Sequence, residues 1–225
     1  LVSNADIWST VNLLPEGVAS AWRHDRAGTP ACGGFLHLHL GFDASGLEDL
    51  PIHTVWVDDW DRGIAAERNA VVLSVPSVLD PAMAPKGRHV LHGYTPASEP
   101  WDLWSDVERG SEAYDALKRN RCEVFWSVLE RRIPDIRQRC DLVMEGTPLT
   151  HRHYLNVHRG SYGPALSATG GLFPGVTTPI TALWLCGAST FPGIGIPPVA
   201  ASGALAAHGI VGRQAQRSLL KQLDL

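Results

Sequence analysis

Residues 35–42 alternate strictly, with Leu36, Leu38 and Leu40 on one side and Phe35, His37 and His39 on the other. A period of two is that of a half-buried strand, so this stretch is read as a strand with one apolar face. Residues 52–57, 70–75, 88–93 and 140–144 are read as further strands. Turns through Pro76, Pro81 and Pro85 separate two of them, and the hairpin-like spacing predicts an antiparallel or mixed sheet. The period changes after Trp101 and Trp104. Tyr114, Leu117, Val124, Phe125, Val128 and Leu129 recur at separations of three and four, which predicts an amphipathic helix ending near Arg132. Ser105 and Glu108 have capping-box spacing and set its expected start, and residues 118–121 are where a kink is allowed for. Such a helix is expected to lie over one face of the sheet.

The two ends read differently. Residues 1–14 predict a strand end and a short helix capped by Asn4 or Asp6, and residues 15–34, broken by Pro15, Gly17, Gly28, Pro30, Gly33 and Gly34, read as loop. Residues 146–154 read as a loop entering a short helix, with Thr150 as its cap. Turns at 162–164 and 170–175 carry aromatic rings suited to lining an apolar ligand or to ordinary packing. Residues 183–186 form a short apolar strand. A turn follows through Gly187, Ala188, Ser189, Thr190, Phe191, Pro192, Gly193, Ile194 and Gly195, and then a helix rich in small residues from about Pro197 or Pro198 to Leu220. Glycines there let a ligand or another backbone come close. The helix start offers unpaired N–H groups and a positive dipole end to a phosphate or a polarised cofactor atom.

With 225 residues and 44% apolar composition the chain can bury a substantial core. A net charge of -4 and the absence of a long Lys/Arg run argue against a nucleic-acid binder. Cys32, Cys122, Cys140 and Cys186 are scattered, with neither a metal spacing nor a disulfide framework, which favours a reducing compartment. No apolar run reaches the length of a membrane span, while an apolar surface patch stays open as a reading.

His37 and His39 project together, a pair able to bind metal or move a proton; they are read as partly exposed strand histidines. His89 and His92 are expected to face opposite ways, and His151 and His153 are too close for a same-face helical pair. Asp58, Asp59 and Asp61 read as solvated turn carboxylates. No metal site is expected, and no Ser-His-Asp arrangement or indispensable acid or base stands out. His151 and Tyr154 are the only catalytic candidates, and weak ones.

Four segments carry a family resemblance: residues 2–6 (VSNAD), 146–152 (GTPLTHR), 159–164 (RGSYGP) and 185–195 (LCGASTFPGIG). In this order the chain resembles the C-terminal half of the phytoene-desaturase/carotenoid-isomerase flavoproteins, which are related more distantly to retinol saturases and amine oxidases. The pair at 149–152 and 160–164 brings it nearest the isomerase branch.

The resemblance implies an α/β fold: the C-terminal portion of an FAD-binding Rossmann-type flavoprotein with a mixed-sheet and helix substrate domain. Residues 1–14 would end an FAD-domain segment, 15–145 would form the substrate-binding sheet and helices, and 146–225 the flavin-facing closing segment. Gly187 and Ala188 would approach the ribityl-pyrophosphate portion of FAD. Ser189, Thr190, Pro192, Gly193, Gly195, Ile196, Pro197, Pro198 and Val199 would complete the cofactor-facing wall. Some isomerase relatives carry Asp where Ala188 stands, and desaturase relatives carry Ala.

No G-x-G-x-x-G dinucleotide fingerprint occurs in these residues, so the N-terminal nucleotide-binding unit is expected from elsewhere. The implied partners are a long-chain polyene or carotenoid, the missing N-terminal half or another subunit, and a membrane surface. The implied location is a plastid or photosynthetic membrane, with the cytoplasm as the expectation should the resemblance fail. Two other readings stay open at this point: a non-catalytic carotenoid-binding or assembly subunit of a larger membrane complex, and a domain whose glycine turn is only structural.

Overall fold

A computed structural model describes residues 1–166 and 173–224. In chain order its elements are strand β1 (Val2–Ser3), helices α1 (Ile7–Asn12) and α2 (Ser20–Ala27), and strands β2 (His37–Asp43), β3 (His53–Val57), β4 (Ala70–Ser74) and β5 (Arg88–Tyr94). Helices α3 (Glu112–Glu130) and α4 (Ile136–Arg139), strand β6 (Cys140–Gly146) and helix α5 (Pro148–Leu155) follow. Strand β7 (Trp184–Leu185) and helices α6 (Ile196–Val211) and α7 (Arg213–Gln222) complete the chain. They divide into two units, Leu1–Cys32 with Tyr162–Leu225, and Gly33–Ser161.

The first unit takes both ends of the chain. β1 and β7 pair in parallel, Val2 with Trp184 and Ser3 with Leu185. Ile7, Trp8, Val11 and Leu185 form its buried cluster. Of the two expected caps of α1 it is Asp6 that serves, its Oδ1 accepting the Ser9 N–H at 2.6 Å. Helix α2 replaces part of the expected 15–34 loop. None of its residues is buried and Ala19 before it gives no side-chain cap, so both the apolar period and the cap signal are missing from the sequence. The expected single terminal helix is two helices, because Gly212 at φ +81° breaks the turn between α6 and α7. Of the two glycines on α6, Gly209 has a packing reason, since a Cβ there would collide with the Trp184 ring, whereas a Cβ on Gly203 would meet nothing within 4 Å.

The second unit is built on a five-stranded sheet in the order β3-β4-β5-β2-β6, every pair antiparallel. The expected strands are present with small shifts at their ends. Leu38, Leu40 and Phe42 of β2, Val71 and Leu73 of β4 and Leu91 of β5 are buried together with Cys122, Phe125, Trp126, Val128 and Leu129 of α3. Helix α3 starts six residues later than the capping-box spacing suggests, its cap moving from Ser105 to Ser111. Gly110 sits at φ +88°, and Ser111 is the cap, its Oγ accepting the Tyr114 N–H at 3.1 Å. The helix runs unbroken through residues 118–121. At α5 the cap is Thr147 in place of Thr150. The two residues form a reciprocal capping box in which Thr150 Oγ1 accepts the Thr147 N–H at 3.1 Å.

A charge sits inside this apolar layer. Glu99 is 1% exposed and accepts from Arg121 Nε at 2.9 Å, Arg121 Nη2 at 2.8 Å and Trp104 Nε1 at 2.9 Å. Arg121 also pairs with Glu67. Burial works against the guanidinium charge, but hydrogen bonds and attraction from Glu99, then Glu67, outweigh it and raise its pKa above the usual value.

Candidate functional site

In the first unit the turn after β7 is fixed largely by its own packing. The Cys186 N–H donates to Ser3 O at 2.9 Å. The Gly187 N–H donates to Ser202 Oγ at 2.8 Å, and that hydroxyl donates on to Val199 O at 2.6 Å, so the turn is tied to the first turns of α6. Gly187 stands at φ +102° and a Cβ there would lie 2.6 Å from Asn4 Oδ1. Gly193, at φ +121°, has the Phe173 ring 3.0 Å from where its Cβ would be. These two glycines thus have internal reasons. Gly195, at φ +111°, is different: a Cβ would make only ordinary contact with Pro198, so its near side is open.

The polar groups here are few and specific. Ser189 and Thr190 are buried, and the Ser189 hydroxyl has no hydrogen-bond partner among the described residues. Ala188, Phe191, Pro192, Ile196 and Pro197 are exposed. Helix α6 has no side-chain cap. Pro197 and Pro198 carry no N–H and Val199 N–H already donates to Gly195 O at 2.9 Å, so Ile196 holds the one donor of the first turn without a partner among the described residues. One donor and a dipole end make a weak cradle for a doubly charged phosphate. They suit a polarised atom of a larger, mostly apolar ligand. Of the aromatic turn expected at 170–175, residues 170–172 lie outside the described residues.

The second unit presents the sheet face opposite α3. On β2, His37 and His39 point to this face, as the alternation predicts; their antiparallel neighbours on β5 are Tyr94 and His92. His37 Nδ1 and His92 Nε2 lie 2.8 Å apart in a hydrogen bond. The rings of His39 and His92 stack at 4.5 Å and 8°, and His37 lies 5.1 Å from His92 at 14°. From α5, His151 brings its ring to 4.9 Å from His37, and Phe35 lies 5.3 Å from His37 and 6.2 Å from His151. His89 faces away, bonded to Ser77 at 2.9 Å, as the odd spacing predicts, while Tyr154 is 70% exposed with Arg109 over its ring. The sequence signal that was missed is His92, because its approach depends on the β2–β5 register.

Burial pushes His37 down to about 3, and the neighbouring His151, His92 and His39 add to the fall. Burial also lowers His39, His92 and His151, with His39 adding to the shift at His92. The cluster is therefore neutral at pH 7. Val55, Val72, Val90, Leu142 and Met144 share the face by register; its charged groups, Asp43, Arg88 and the Asp141 that pairs with Arg88, lie at one end, and Ser74 with its partner His53 lies beside His92. The consequence for stability has a definite sign. Unfolded histidines take up protons near pH 6.5 and these folded ones resist, so the cluster's contribution is complete above that value and is lost as pH falls from about 6.5 toward 3. Urea unfolding at several pH values should show a fall in this window that is shallower in His37→Gln; equal slopes would refute the assignment.

The chain is 33% identical over 219 residues to the chloroplastic prolycopene isomerase of Arabidopsis thaliana, covering 93% of the chain and 36% of that protein. It is 37% identical over 183 residues to the chloroplastic prolycopene isomerase of Daucus carota, covering 78% of the chain and 29% of the relative. A neurosporene-forming phytoene desaturase of Rhodobacter capsulatus is 29% identical over 72% of the chain. The chain is homologous to the prolycopene isomerase, phytoene desaturase and retinol-saturase-like proteins over most of its length. It spans about a third of the length of these curated relatives. Searched against family models, it matches none.

Proposed function

We propose that this chain supplies the polyene-facing sheet and the flavin-facing closing turn of a carotenoid isomerase-like or desaturase-like flavoprotein, nearest the isomerase branch. The observation that carries the reading is the 33% identity to a prolycopene isomerase across 93% of the chain. The sheet face of the second unit supports it. Neutral imidazoles, Phe35, Tyr94 and aliphatic side chains give a long hydrocarbon broad contact and no full charge to desolvate.

The cofactor proposed is FAD, whose electron chemistry, when bound, lowers the double-bond order of a polyene. The first unit fits it at one wall. The buried Ser189 hydroxyl, without a partner among the described residues, is available to a ribityl or ring atom; Gly195 keeps a side chain out of the way, and the Ile196 N–H adds a donor at the positive end of α6. Ala188, Phe191 and Pro192 offer apolar contact beside them.

The remaining proposed partners are a nucleotide-binding portion carrying the dinucleotide fingerprint, a long-chain polyene and a membrane surface where polyenes dissolve. No helix among the described residues is long and apolar enough to cross a membrane. The plastid is the proposed location, from the relatives named chloroplastic. The test is the visible spectrum of purified protein containing this chain. Bound flavin is expected, weakened several-fold by Ser189→Val; a colourless protein that takes up no FAD would refute the cofactor assignment.

A further inference from the structure

The imidazole row of β2 and β5 gathers metal-ligating groups outside the turn after β7. His37, His39 and His92 each offer a ring nitrogen, and these three atoms all lie within 4.8 Å of one another. They are held by two adjacent strands in fixed register, a stiffer support than a loop. We propose that this trio is a binding site for a divalent transition-metal cation of the zinc, nickel or copper type. The proposal rests on the second unit alone and is independent of the flavin reading; an ion bound here places a charge on the face assigned to the polyene, so the two occupants exclude one another there.

The donor set selects the ion. Three neutral imidazoles without a carboxylate in the group suit a borderline cation; calcium and magnesium want oxygen ligands. Zinc–nitrogen bonds of ~2.0–2.1 Å in a tetrahedral site place ligand nitrogens about 3.4 Å apart. The 2.8 Å His37–His92 contact therefore opens slightly and the wider separations close by at most about 1.4 Å, within reach of ring rotation about the side-chain torsions. In the ion-free arrangement one proton links His37 Nδ1 to His92 Nε2. On binding, that proton moves to the far nitrogen of its own ring by tautomer exchange, both near nitrogens present lone pairs to the cation, and no net proton is released. Three protein ligands leave a fourth position for water or another small donor, the pattern of an open site. His39 is exposed, which gives the ion a way in. His151, 4.9 Å from His37 by ring centres, is placed to support the site from outside the trio.

The experiment uses the full chain, stripped with chelator and checked for folding by circular dichroism. Calorimetric titration with Zn²⁺ should give one equivalent of binding, and Cu²⁺ should give an electron paramagnetic resonance spectrum with imidazole nitrogen hyperfine structure. Mg²⁺ and Ca²⁺ should give no heat. Loss of a ligand costs no less than loss of a supporting partner, so His39→Gln and His92→Gln should each weaken Zn²⁺ by at least ~10–100-fold. His53→Gln and His89→Gln, whose rings bond to Ser74 and Ser77, should leave affinity unchanged. If His92→Gln does not fold, His39→Gln decides, because that ring is exposed and outside the His37–His92 hydrogen bond. Absence of Zn²⁺ and Cu²⁺ binding by the folded chain would overturn the proposal, as would undiminished binding in His39→Gln.

Discussion

Arg121→Ala is expected to destabilise the second unit by about 3–5 kcal/mol, the cost of removing one partner from a buried ion pair. The variant strands the Glu99 carboxylate, 1% exposed, with the Trp104 N–H and no cation in contact. The carboxylate's place is fixed from both sides. The Gly34 N–H donates to Glu99 O at 2.8 Å, and the Glu99 N–H donates to Gly34 O at 3.0 Å, so the backbone cannot swing the side chain out to water. A surface pair on the same helix gives the contrast: Lys118→Ala, which breaks the pair with Asp115, should cost under ~1 kcal/mol. Pairing Arg121→Met with Glu99→Gln should recover much of the loss, since no charge is then left buried. Urea midpoints of the four proteins measure this, and an Arg121→Ala loss no larger than that of Lys118→Ala would contradict it.

Gly160→Ala is expected to cost about 3 kcal/mol, combining ~1–2 for a left-handed residue bearing a Cβ with a further ~1–3 for overpacking. Gly160 stands at φ +57°, and a Cβ would fall on the carbonyl of Pro148. Gly34 closes the same knot, since its own Cβ would meet Pro148 Cγ at 2.7 Å and Gly160 O at 3.0 Å. Two of the four family-like segments, 146–152, in which α5 begins, and 159–164, are thus pressed together through backbone atoms. Gly46→Ala isolates the strain alone. Gly46 is at φ +73° with nothing within 4 Å, so that variant should lose only the ~1–2 kcal/mol of the backbone term. Equal losses at the two positions would show that the Pro148 contact carries no weight.

These contacts also show what the sequence could and could not reveal. The alternation of residues 35–42 determined which face of β2 is apolar, because strand periodicity is local. The stripe on α3 was legible for the same reason, but its start was not: Ser105 and Glu108 imitate a cap, while Gly110 and Ser111 are the real break and cap. The buried Arg121 lies inside a stripe of apolar neighbours, and nothing local announces Glu99 as its partner. His92 joins His37 and His39 only through a register set by the 44 residues between Asp43 and Arg88, with β3 and β4 among them. The Gly187 requirement is more distant still, since the atom that a Cβ would strike belongs to Asn4 at the other end of the chain. The geometry divides the turn's glycines into two needed for packing and one, Gly195, where a Cβ would make only ordinary contact with Pro198.

Flavin binding and polyene isomerisation are read out together in a single turnover assay. Protein containing this chain, loaded with FAD and kept under anaerobic reducing conditions, is supplied with prolycopene, and the products are separated by chromatography and weighed by mass spectrometry. A change in the isomer pattern at unchanged mass is expected, dependent on the flavin and diminished in Ser189→Val. Bound flavin with an unaltered polyene, or an unaltered polyene and no flavin at all, would contradict it.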